Sequence, residues 1–177
     1  MMTIQLLYRY LDHDVRQLTT RYAEARAQEP EAKDLAQLGD GDSDQQLIMR
    51  LVVTGVGRLR AVLGDKVETV SGDSDDTLPD ARGNTRPRRD KWEFTFRKTT
   101  ADSRALAEIM HWLVVRAAIA EWCRMFSPTD TAEAKAETEE LEADLDELLS
   151  RPAMPVKERR RIALEDAPAE ITYTFIP

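Results

Sequence analysis

"HWLVVRAAIAEWC", residues 111–123, decides how this chain is read. Placed on a helix with its flanks, Leu106 to Phe126, it carries the charges Glu108, Arg116, Glu121 and Arg124. At about 100° per residue these point in four different directions. Apolar side chains, Trp112 and Trp122 among them, fill the gaps all the way round. A helix apolar on every side must be covered on every side.

Working outward, the segment from roughly Ile4 to Gln28 reads as a first helix. Ile4, Tyr8, Leu11, Val15, Leu18, Tyr22 and Ala25 recur at alternating spacings of three and four, a stripe lasting about three heptads. Leu11, Val15 and Leu18 on this stripe, with Trp112 and Trp122 on the apolar helix, form a face for the core or for another copy of the chain. "GDGDSDQQ", residues 39–46, begins like a calcium loop, but its sixth and twelfth positions are Gln45 and Leu51. A turn with a capping box, Ser43 at the cap and Gln46 three residues on, is the better reading. A second helix from about Asp44 to Leu63 follows, and Gly64 stops it. Gly55 and Gly57 lie inside this helix, where close approach of a neighbour would account for them.

Residues 67–98 change character. "KVETV" alternates like a short strand, and "WEFTFR" places Trp92, Phe94 and Phe96 on one side. The intervening stretch is rich in Gly, Asp, Ser and Pro, with Asp73, Asp75, Asp76 and Asp80 ahead of Arg82, Arg86, Arg88 and Arg89. We expect a hairpin over about 67–97 with a long mobile tip at 71–90. The apolar helix starts near Asp102 and ends at Phe126. Ser127 and Pro128 then open a fourth helix to about Leu149, with Asp130 three residues past the cap. Between Thr129 and Ser150 it holds nine acids and one lysine, with a thin stripe of Leu141, Leu145 and Leu148 extended by Ala134 and Thr138. The tail, residues 151–177, has a basic run (Lys157, Arg159, Arg160, Arg161) and ends in "EITYTFI", an alternating strand. The expected fold is mainly α: about four helices with a small β component, in one helical domain over 1–150.

The totals narrow the function classes. A chain of 177 residues can bury a sizeable core. Its net charge of −8 argues against general binding to nucleic acid or anionic membrane. A lone cysteine, Cys123, excludes an internal disulfide and a thiolate-rich metal site, which suits a reducing, cytoplasmic setting. The longest apolar stretch is broken by His111 and Arg116, short of a bilayer span. "DHD", residues 12–14, looks like a fragment of a metal site, but adjacent helical residues diverge, so a solvated face is the better reading. His111 reads as a partly buried, hydrogen-bonded residue and Cys123 as a small core residue. No acid, base and nucleophile assemble in the sequence, so neither an enzyme nor a cofactor is expected. Arg82, Arg86, Arg88, Arg89 and Lys91, close to Trp92, Phe94 and Phe96, form a candidate contact loop for a partner or, locally, nucleic acid. Against this, aromatics with a period of two usually face a core.

The order of elements carries a resemblance. A helix, then "DQQLIMRLVVTGVGRLRAVLG", a strand-flanked loop, "LAEIMHWLVVRAAIAEWCRMF" and "AETEELEADLDELLS" resemble the small head–tail connector and head-completion proteins of tailed phages and prophages. The likeness covers most of residues 1–150 and lies in element order and helix character, with no motif matched residue by residue. It implies a non-catalytic ring-forming adaptor of the virion neck, docked on the portal and on tail proteins. Neighbouring copies would then help to cover the apolar helix. The competing reading is a cytoplasmic helical dimer that holds a protein partner through the stripe of helix one.

Overall fold

The computed structural model describes residues 1–25, 42–71, 91–96, 99 and 101–150. In chain order the elements are β1 (Met2–Leu7), α1 (Tyr8–Ala25), α2 (Asp42–Leu63), β2 (Val67–Ser71), β3 (Lys91–Phe96), α3 (Ser103–Phe126) and α4 (Thr131–Ser150). The fold is mainly helical, with a three-stranded antiparallel sheet in the order β1-β3-β2.

α3 is the axis of the molecule. Asp102 caps it through its carboxylate, which accepts from the backbone amides of Arg104 and Ala105 at 3.0 and 2.9 Å. Eleven of its residues are buried, from Leu106 to Cys123. α1, α2, α4 and β1 all pack against it. The apolar helix is thus covered along most of its length by the elements of one chain, and Trp122 and Cys123 lie in that core.

The first element corrects the sequence reading. Residues 2–7 form a strand instead of the first turns of helix one, and the helix begins only at Tyr8. Ile4 and Leu6 alternate inward, opposite Phe94 and Trp92 of β3. Ile4 satisfies the helical spacing by coincidence; pairing with β3 supplies backbone partners that an isolated first turn would leave unmet. The stripe is corrected too. α1 buries Leu11, Val15, Thr19 and Ala23, one residue per turn, while Leu18 is half-buried and Ala25 exposed. Its expected end at residues 26–28 lies outside the described residues.

The expected hairpin is present, with β2 antiparallel to β3 and a bulge between Val67 and Thr69. Trp92, Phe94 and Phe96 are buried on one face, as their period predicts. The other face is polar: the Thr3 and Thr95 hydroxyls lie 3.4 Å apart, and Gln5 donates to Glu93 at 2.7 Å. The loop tip at 72–90 and the strand expected at about 171–176 lie outside the described residues.

Two helix starts also differ from expectation. α2 runs from Asp42, so Ser43 lies inside the helix and not at its cap. α4 is preceded by a single 3₁₀ turn, Pro128–Asp130. Ser127 makes no side-chain cap to the backbone; its buried hydroxyl donates to the Asp130 carboxylate at 2.6 Å, while its carbonyl accepts the Asp130 amide at 3.0 Å. Gly64 ends α2 with a φ of +47°, the left-handed region that favours glycine.

Candidate functional site

A shallow trough of about 350 Å³ lies along α1, lined by His13, Arg16, Gln17, Thr20, Arg21 and Glu24. Its lining residues all belong to a single helix. Among the described residues no three His, Cys, Asp or Glu side chains gather as a metal site, and no helix is long and apolar enough to cross a membrane.

The feature that stands out is a seam of aromatic residues along α1 and α3. At one end, Asp14 of α1 and His111 of α3 meet at 2.7 Å between Oδ2 and Nε2, both partly buried. The Trp112 ring sits edge-on to the imidazole with centroids 5.5 Å apart, and Trp112 is 36% exposed. One turn before Asp14, Tyr10 is 52% exposed, and the Arg9 guanidinium lies 4.7 Å from its ring centroid. Farther along, Tyr22 of α1 faces Trp122 at 6.4 Å, and Trp122 faces Phe126 at 5.8 Å. Phe126 and its neighbour Met125 are 39% and 43% exposed. Burial, reinforced by the negative charge of Glu137, holds the Tyr22 phenol above its ordinary pKa. Tyr10, Trp112, Met125 and Phe126 thus put large apolar groups at the surface, and such groups suit protein contact.

The opposite flank is charged. Exposed carboxylates Glu139, Glu140, Asp144 and Glu147 stand along α4. Three of its other acids tie the helix down: Glu142 to Arg58 and Asp146 to Lys66 on the α2 side, and Glu137 to Arg116 of α3 at 2.7 Å. The hydrogen bond that Arg58 donates to the Glu142 carboxylate raises the Arg58 pKa. At the end of α3, Arg124 donates to Glu121 at 2.9 Å and holds that carboxyl below its ordinary range.

Each residue singled out in the sequence has its place. Leu11, Val15 and Trp122 are core, Leu18 packs against the core from its edge, and Trp112 opens to the surface. His111 is the partly buried, hydrogen-bonded residue expected. The "DHD" stretch is only in part a solvated face. His13 is exposed, whereas Asp12 pairs with Arg16 at 3.1 Å and Asp14 takes His111. Lys91, at the start of β3, is exposed and pairs with Glu93 at 2.6 Å. Arg82, Arg86, Arg88 and Arg89 lie outside the described residues. Sequence reasoning missed Tyr10 and the Asp14–His111 pair. The signal for the pair was weak, since the two are far apart in sequence and neither position is unusual alone.

No family model matches the chain, and neither the curated proteins nor the solved structures contain a match to it.

Proposed function

We propose that this chain is a non-enzymatic assembly protein, a head–tail connector of a tailed phage or prophage. In this reading it self-associates, as a ring of copies, and docks on a portal or tail component, so that its place of work is the virion. The observation that carries the reading is the aromatic seam. Tyr10, Trp112, Met125 and Phe126 stay exposed although the core beneath them is already filled. Apolar surface beside a complete core suits association better than folding. The acidic flank of α4 supports the same reading, because carboxylates along a DNA channel repel phosphates and keep the duplex from sticking.

The helical-dimer alternative finds its proposed face largely occupied, since Leu11 and Val15 are wholly buried within the chain. Polar substitution at Leu11 would then unfold the protein before it could split a dimer.

The test is electron imaging and mass measurement of the purified chain, beside the same measurements on Trp112→Glu. Closed rings in the parent, lost in the variant with its helical content unchanged, support the proposal. A chain that stays monomeric at all concentrations, encoded beside metabolic genes and not beside terminase, portal and capsid genes, overturns it.

A further inference from the structure

Trp112 and Gly57 stand on opposite sides of the molecule, as two short steps along helices show. Val114 lies two residues past Trp112 on α3, so it points about 200° away from it. The Val114 backbone is what meets Gly55 of α2. Gly57, two residues past Gly55, is turned by the same angle again and is exposed, with no atom within 4 Å of where its Cβ would lie. α3 and α2 are thus stacked between an exposed tryptophan on one surface and an exposed glycine on the other.

The two surfaces carry opposite charge. Arg116, one turn past Trp112, holds Glu137 of α4 at 2.7 Å. α4 follows α3 after the short Pro128–Asp130 turn and packs along it, so it runs back from Arg116 toward Trp112. Glu133, Glu137, Glu140 and Asp144 follow one another at spacings of four, three and four, which is one side of a helix. Glu133, Glu140 and Asp144 are exposed, so Trp112 sits beside a row of carboxylates. On α2 the charged residues between Gln45 and Gly64 are Arg50, Arg58 and Arg60, with no acid among them. Arg58 is turned to Glu142. Arg50 lies two turns before Gly57 on the same exposed side. A large aromatic side chain flanked by carboxylates complements a low surface that bears an arginine.

We propose that copies of this chain associate head to tail: the Trp112 surface of one copy seats on α2 of the next, over Gly57, with Glu140 and Asp144 against Arg50. The proposal rests on the self-association reading and names the two surfaces that meet. Because these lie back to back, every contact leaves one surface of each kind open. The contact therefore repeats from copy to copy and closes into a ring where the rotation per copy allows. A two-fold dimer would instead use one patch twice.

Mass measurement of the full chain in solution, over a concentration series, tests the pairing. Arg50→Glu should weaken assembly at least ~tenfold, since like charges then face each other across the contact. Its helical content should be unchanged. Glu140→Arg with Asp144→Arg should have the same effect. The three substitutions together should restore assembly, an outcome that a damaged fold cannot give. A parent that assembles while Arg50→Glu assembles equally well overturns the pairing and leaves self-association standing. Failure of the combined variant to recover overturns it too, as does a parent that stops at dimers. A parent that is monomeric at every concentration overturns this pairing and the self-association reading together.

Discussion

Gly55 of α2 lies directly against the backbone of Val114 in α3: a Cβ at Gly55 would overlap the Val114 carbonyl oxygen and come within 3.1 Å of its Cγ1. The glycine lets backbone meet backbone, and the apolar flank of α3 is sealed there without a side chain between. In this fold a residue that weakens a helix locally is what permits the helix to cover its neighbour.

Gly55→Ala should therefore destabilise the protein. Alanine recovers about 0.5–1 kcal/mol of helix preference, but the overlap is with a rigid carbonyl, and overpacking costs about 1–3 kcal/mol. Gly57, in the same helix, has open space where its Cβ would go. Gly57→Ala should raise stability by about 0.5–1 kcal/mol. Urea unfolding of the two variants beside the parent checks both signs, and equal shifts in one direction would refute the packing account.

Tyr8, the first residue of α1, should resist ionisation. Burial raises its phenol pKa far above the ordinary value, and the neighbouring Asp12 carboxylate adds to the effect. The phenol donates to Asp12 at 3.3 Å, and its ring lies 6.3 Å from that of Trp92. With the folded pKa above the unfolded one, the stabilisation is fully present below about pH 10. It is lost as pH rises above that value toward the folded pKa. A tyrosinate absorbance titration should show a late step that Tyr8→Phe removes, and the fall of stability with alkali should be shallower in the variant.

The Asp14–His111 contact fastens α1 to α3 at the open end of the seam. A double-mutant cycle with Asp14→Asn and His111→Phe should give a coupling of about 0.5–1.5 kcal/mol. Denaturant midpoints measure it. A coupling near zero would mean that the two helices are held only by the apolar residues beneath, Leu11 and Val15 on α1.

The ties between α2 and α4 should be weaker and sensitive to salt. Arg58 and Glu142 are both partly exposed, so water screens the pair. Removing either partner should cost below about 1 kcal/mol, and the loss should shrink as ionic strength approaches about 1 M. Thermal unfolding of Glu142→Gln across a salt series provides the check.

Where a segment has one dominant pattern, the sequence shows its structure. Leu106–Phe126 has no polar side, and it is the central helix. Trp92, Phe94 and Phe96 have a period of two, and they form the buried face of a strand. Ala134, Thr138 and Leu145 are the thin buried line of α4, with Leu141 and Leu148 at its margins. The N-terminus misleads because Ile4 fits two patterns at once: spacing to Tyr8 and Leu11 suits a helix, and alternation with Leu6 suits a strand. The aromatic seam was legible only in part, since Trp112 and Trp122 belong to the same apolar run and nothing in that run marks Trp112 for the surface.

The amino-acid sequence by itself determined the mainly helical class, the extent of α3, the hairpin partners and the absence of any disulfide within the chain. These follow from side-chain periodicity, caps and composition, which act over a few residues. Only the tertiary structure decided that residues 2–7 are a strand, that the covering of α3 comes from α1, α2, α4 and β1 together, and that Gly55 is a contact point while Gly57 is not. Each of these depends on a partner distant in sequence: β3 for the first strand, the ring of neighbours for α3, and the carbonyl of Val114 for Gly55. Local preferences are nearly balanced at such positions, and the free energy of burying and pairing distant groups tips them.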